Sequence, residues 1–434
     1  MDFLKKPLSV YLLLFLTTTL IGAFLLYLPI TGKQPTPFID AFFVASSAFT
    51  VTGLSTVDIT SQFNWLGDLI IMLLIQIGGL GIVTITTLTL IIANRRISLH
   101  DRRLIMVTWN VEEPGGMVRF IRQLVIYSFT SELIGMLLLS LSFIPRYGFG
   151  KGIYISLFTS VSAFNNAGFA LFSNNMIGFN NDPVINIVIP ILIILGGLGP
   201  LIMLDLLKTR RLSKLKLHTK VVMSTTLVLI VGGTILYYIL EFNNTLKPYH
   251  VWGQIGTAFF QSVTTRTAGF QSVDLGLIHT PTAILMMVLM FIGGAPFSAA
   301  GGIKVTTFIV LIMFVYSALR NENSTVIFHR TIQPKIIGKA VAITTVSGIF
   351  VLFITFVVSL LNETTPFIKV IFEVVSAFGT VGLSMDFTTE YHAATKAIII
   401  LVMICGKIGV ATVLALFIPN KKRLYQYAKG NVYL

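Results

Sequence analysis

Charge is scarce in this chain: 11% of its 434 residues are Asp, Glu, Lys or Arg, against about 25% in an ordinary soluble domain. With 55% hydrophobic residues and a mean hydropathy of +0.87, no soluble fold is open to it. Cysteine is almost missing. The lone Cys405 excludes an intrachain disulfide and a multi-cysteine metal site. A phosphate-binding G-x-x-x-x-G-K-[ST] loop is absent, so the chain is not itself an ATP-driven pump, and the six scattered histidines contain no HExxH. An enzyme reading has no support, and no covalently bound cofactor is expected. Acidic residues are few, 17 against 31 basic, which gives a net charge of +14. In a soluble chain that surplus would suggest nucleic acid; in a membrane chain it reflects Lys and Arg kept on the cytoplasmic side.

What is present is apolar sequence in spanning lengths. Eight charge-poor stretches can cross a bilayer core of about 30 Å: 11–30, 69–93, 124–144, 184–204, 221–240, 282–319, 340–361 and 397–418. The first, preceded by Lys5 and Lys6, is too long for the apolar region of a signal peptide and is expected to remain as a helix. Inside each successive pair lies a shorter apolar stretch, 38–49, 153–164, 251–264 and 367–378, of a length that suits a re-entrant half-helix. With both termini in the cytoplasm, most of the 31 basic residues fall on inner segments, among them Arg95 to Arg103 and Lys208 to Lys220. A multi-pass protein of the cell membrane, in contact with lipid, is the expectation.

Internal repetition refines this picture. The segments FVASSAFTVTGLS, FTSVSAFNNAGFA, FFQSVTTRTAGFQ and FEVVSAFGTVGLS align without gaps, each with Phe ten residues before a glycine: Phe43 and Gly53, Phe158 and Gly168, Phe259 and Gly269, Phe372 and Gly382. A second glycine echo follows at Gly78, Gly196, Gly293 and Gly406. The unit is helix, pore loop, helix. It divides the chain at 1–94, 95–208, 209–320 and 321–434, the third repeat having a broken second helix. The expected fold is an all-α polytopic membrane protein of four parallel repeats with pseudo-fourfold symmetry around one central pore.

Irregular backbone at membrane depth is tolerated where protein buries it or where it lines a water-filled cavity. Four such loops about one axis therefore suggest a pore, and rings of carbonyl oxygens can replace the hydration shell of a potassium ion. The alternative for any single glycine is close helix packing. Four gap-free matches favour the pore. Another alternative for the whole chain is a secondary transporter of another small solute, although that class more often shows two repeats.

The loops TVTGLS (Thr50 to Ser55), SAFNNAGF (Ser162 to Phe169), TRTAGF (Thr265 to Phe270) and SAFGTVGLS (Ser376 to Ser384) resemble those of the Trk/Ktr/HKT superfamily of potassium transporters, closest to the KtrB/KtrD membrane subunit of bacterial Ktr systems. The resemblance implies potassium uptake through a filter whose glycines are Gly53, Gly168, Gly269 and Gly382. Thr50, Val51 and Thr52, Asn165, Asn166 and Ala167, Arg266, Thr267 and Ala268, and Gly379, Thr380 and Val381 would supply carbonyls to the ion. Sodium-preferring plant relatives often carry serine at the first filter glycine, so Gly53 implies potassium. The Arg266 side chain is expected to point away from the axis, toward a carboxylate or carbonyl. The resemblance further implies an intramembrane gate at Gly293, Gly294, Ala295, Pro296, Phe297, Ser298, Ala299, Ala300, Gly301 and Gly302, although Pro296 and Phe297 depart from the family pattern; a simple proline kink is the alternative. A homodimer, a cytoplasmic ring of nucleotide-binding regulatory subunits of the KtrA/KtrC type, and sodium as a coupling or activating ion belong to the same implication.

Two charged residues within spans remain. Lys407 is the only basic residue inside the eighth span, which marks it as a functional candidate with snorkelling as the alternative; the resemblance implies that it faces the pore below the filter as part of the gate. The family usually has arginine there. Glu132, in the third span, fits an ion pair, an interfacial position or a transport role equally well. Lys396, by contrast, reads as an outer lysine without a task.

Overall fold

The computed structural model describes residues 7–81, 84, 117–209, 211–296 and 298–414. The chain is helical apart from a two-residue antiparallel strand pair, β1 (Val326–Ile327) and β2 (Arg330–Thr331). Each repeat opens with a long helix: α1 (Pro7–Tyr27), α5 (Met117–Tyr147), α9 (Leu217–Glu241) and α13 (Pro334–Leu361). These present bare apolar side chains outward, such as Ile134, Leu141, Val228 and Phe353, each more than half exposed. A continuous apolar surface of this kind is at home against acyl chains and not in water.

A short helix then descends from each long one: α2 (Phe38–Thr50), α6 (Phe149–Phe164), α10 (Val251–Thr264) and α14 (Phe367–Gly379). Thirteen to sixteen residues at about 1.5 Å each give roughly 20–24 Å, too short to cross. These are the four stretches predicted as half-helices, and their buried residues dominate the interior.

The second helices bring a correction. They are α4 (Trp65–Leu80), which follows the single-turn α3 (Ile59–Gln62); α7 (Pro183–Leu198); the pair α11 (Thr280–Phe291) and α12 (Val305–Leu319); and α15 (Ala393–Ile408). The sequence predicts one broken helix, in the third repeat. The structure interrupts the second and fourth as well: α7 gives way at Gly199 to α8 (Pro200–Lys208), bent by 94°, and α15 gives way at Gly409 to α16 (Val410–Leu414). In the first repeat α4 likewise ends on a glycine, Gly81, beyond which 69–93 lies largely outside the described residues. All three glycines sit at positive φ, which a helix cannot continue through. Hydropathy runs unbroken across these joints, so composition alone does not reveal them.

Packing closes the four repeats on themselves. The second helix of each repeat lies against the half-helix of the next: α4 on α6, α7 on α10, α11 on α14, and α15 back on α2. An ion pair between Asp40 on α2 and Lys396 on α15 ties the last repeat to the first. Lys396 is therefore not an idle outer lysine.

Candidate functional site

The half-helices converge on the four glycine loops. In every loop the residue two before the glycine adopts left-handed backbone: Val51, Asn166, Thr267 and Thr380, at φ between 51° and 67°. The glycines follow at φ 98°, 70°, 77° and 92°. Two left-handed turns separated by one residue force the chain sharply out of the helix, which only the glycine position tolerates without strain.

Contacts between loops form a closed ring. The space that a side chain on Gly53 would need is taken by the Ala167 carbonyl, that of Gly168 by the Ala268 carbonyl, that of Gly269 by Val381, and that of Gly382 by Thr52. Four equivalent carbonyls and four glycines thus alternate around one axis. Serine hydroxyls brace two of the loops from behind, Ser47 Oγ accepting from Gly53 N and Ser376 Oγ from Gly382 N, both at 3.0 Å. The half-helices aim their C-terminal, partially negative ends at this ring, an arrangement that favours a cation.

Asn165, Asn166 and Arg266, all predicted filter residues, direct their side chains to partners outside their own loops. Asn165 Nδ2 donates to Glu132 Oε1 at 3.0 Å and to Gln76 Oε1 at 3.1 Å, and Gln76 Nε2 and Ser128 Oγ donate to the same Glu132 oxygen. Glu132 therefore belongs to a buried neutral-donor network behind the second loop, with no ion pair among the described residues. Asn166 Nδ2 lies 3.3 Å from both the Arg266 carbonyl and Thr267 Oγ1, so the second loop holds the third. The Arg266 side chain reaches a backbone carbonyl: its Nη2 donates to the Gly293 carbonyl at 3.3 Å.

On one side of the ring a cavity of about 350 Å³ opens, lined by Gly53, Gly168, Gly382 and the carboxylates Asp58, Asp274 and Asp386. These acids were not singled out from sequence, where they are scattered over more than 300 positions. Burial, then the nearby Asp274, raises the Asp386 pKa above the ordinary carboxylate value. Asp58 moves the other way: burial pushes it up, but hydrogen bonds from Thr60 and Ser173 outweigh that and hold it below its usual value.

The third repeat's interruption packs against another face of the ring. The chain leaves α11 at Ile292 and returns beside it at Ile303, with Gly293 N donating to Ile303 O at 2.8 Å. This is a closed loop, which rules out the simple proline kink. Gly301 packs directly against Thr380 and Gly302 against Gly379, so the loop touches the ring's fourth member. Lys407 Nζ donates to Ala299 O at 2.6 Å, Lys304 Nζ to Ala300 O, and Ala295 N to Gly197 O at 3.0 Å. Of the predicted gate residues, Phe297 lies outside the described residues.

Comparison with known proteins places this geometry. Residues 12–425 match the family model described as TrkH, cation transport protein. The Ktr system potassium uptake protein B of Bacillus subtilis is 42% identical over 421 residues, covering 96% of this chain and 94% of that protein. Its namesake from Vibrio alginolyticus is 39% identical, covering 98% and 94%. The potassium/sodium uptake protein NtpJ of Enterococcus hirae is 35% identical, covering 97% and 95%. Among solved structures, the potassium transporter TrkH of Vibrio parahaemolyticus superposes with a TM-score of 0.78 at 16% identity, covering 95% of this chain and 84% of that one; the fold is shared.

Proposed function

The chain belongs to the TrkH family of cation transport proteins, and from that premise we propose that it carries potassium into the cell as the ion-translocating subunit of a Ktr-type system. The observation that carries this reading is the closed ring in which Thr52, Ala167, Ala268 and Val381 carbonyls alternate with the four glycines. A dehydrated cation needs oxygen ligands on all sides, and backbone carbonyls supply them without adding charge. The acidic mouth raises the local cation concentration before entry. Residues 293–302 form the gate, held from α15 by Lys407 and braced at its own exit by Lys304. The four repeats, 1–94, 95–208, 209–320 and 321–434, each contribute one wall.

The same reading extends to the setting. The protein sits in the cell membrane with both termini in the cytoplasm, forms a homodimer, and docks a cytoplasmic nucleotide-binding ring that controls the gate. Sodium acts as a coupling or activating ion, in keeping with the name of the Enterococcus relative. Uptake of potassium, sodium and labelled organic solutes into liposomes holding the purified protein tests the proposal. Potassium should enter fastest, and a preference for an organic solute would replace this reading with the secondary transporter.

A further inference from the structure

Arg266 is buried, at 7% exposure, and has no carboxylate partner among the described residues. Its Nη1 makes no hydrogen bond there, while Nη2 reaches Gly293 O at 3.3 Å and Thr226 Oγ1 at 3.5 Å. An unpaired guanidinium at membrane depth is costly and marks a functional position. The residue's own backbone lies in the third glycine loop, where its carbonyl is held by Asn166 of the second loop. One residue thus has its main chain in the ring and its side chain on the first residue of the gating loop.

We propose that Arg266 is a positioning residue that couples filter and gate. Its guanidinium holds the gate at Gly293, and the same bond anchors the third filter loop, so that displacement of the loop and rearrangement of the ring occur together. The two ends of the gate are then held differently. Lys407 fastens Ala299 from a helix that the filter backbone does not include, and its loss frees the gate alone. Loss of the Arg266 side chain frees the gate and relaxes the filter.

The inference rests on the filter-and-gate reading above, and the experiment separates the two. Potassium flux and the potassium-to-sodium flux ratio are measured in liposomes for wild type, Arg266→Met, Arg266→Lys, Lys407→Ala and Gly53→Ser. Arg266→Met should raise flux and lower the ratio together, each by about fivefold or more, the lower end of typical coupling between sites. Arg266→Lys, which keeps a cation able to approach Gly293 O, should move both quantities in the same directions by less. Lys407→Ala should raise flux with the ratio unchanged. A change in only one quantity, or in neither, for Arg266→Met overturns the coupling. If Arg266→Met does not reconstitute as folded protein, the same criterion applies to Arg266→Lys. Failure of Gly53→Ser to lower the ratio and of Lys407→Ala to raise flux would instead sink the filter-and-gate reading itself.

Discussion

The Lys407 ammonium donates a 2.6 Å hydrogen bond to the Ala299 carbonyl, so the cation of the last span grips the loop between α11 and α12. In the proposed mechanism this bond is a latch. A hydrogen bond to a charged group contributes about 1.5–3 kcal/mol, and a positive charge about 4 Å from a passing cation would add roughly 4 kcal/mol of repulsion at an effective dielectric of 20. Lys407→Ala should therefore raise potassium flux about tenfold or more in liposomes without a regulatory partner, and Lys407→Arg should keep the restrained rate. Shortening residues 293–302 should raise flux in the same assay. Exposed Lys247 is the suitable control, since Lys396 is engaged with Asp40.

Gly53→Ser is expected to weaken discrimination between potassium and sodium. The residue would have to hold φ at 98° with a side chain pressed on the Ala167 carbonyl, at a cost of about 1–3 kcal/mol. Relief of that strain moves a carbonyl ligand. Competitive uptake of the two ions should show a ratio lowered by roughly tenfold, and an unchanged ratio in a normally expressed variant removes Gly53 from the filter.

The network behind the second loop gives a stability test. Glu132→Leu strands donors on Gln76 and Ser128, each worth about 1–3 kcal/mol when buried without a partner, while Asn165 Nδ2 loses one acceptor and keeps those on Gln76 and Val161. Thermal unfolding of the detergent-solubilised protein should shift to clearly lower temperature for this variant. Glu132→Gln retains an acceptor and should lie near wild type. Equal melting of all three would mean that the carboxyl does not hold the loop.

Acidifying the side that the mouth faces should slow uptake at low potassium. Asp386 attracts cations only when ionised, so its contribution is full above its raised pKa and is lost as pH falls through that value. The decline should begin at milder acidity than for an ordinary carboxylate. Asp58, held low by Thr60 and Ser173, keeps its charge until stronger acid. In Asp386→Asn the early part of the pH dependence should vanish, and added salt should flatten the rest by screening. A variant profile that overlays wild type removes Asp386 from the approach path.

The half-helices and their glycines are legible in the sequence because a gap-free repeat carries its own alignment, and the observed ends differ from 38–49, 153–164, 251–264 and 367–378 by a few residues. The breaks at Gly199 and Gly409 are not legible from hydropathy, since apolar residues continue on both sides; the Gly-Pro pair at 199–200 was the one local signal. Partners were harder still. Nothing local links Lys396 to Asp40, 356 positions away, or Arg266 to Gly293, and these pairings follow only from the closure of the four repeats. The resemblance implies the filter carbonyls as a set and a carboxylate or carbonyl partner for Arg266, but not that Asn165 and Asn166 spend their side chains on bracing.

The most direct test of the central claim is to locate the ion. Crystals of the protein grown in rubidium, a scatterer that stands in for potassium, should show anomalous density on the axis inside the ring of Thr52, Ala167, Ala268 and Val381 carbonyls, and that density should persist against excess sodium. Rubidium bound elsewhere with the ring empty, or displaced from the ring by sodium at equal concentration, would contradict the assignment of these four loops as a potassium filter.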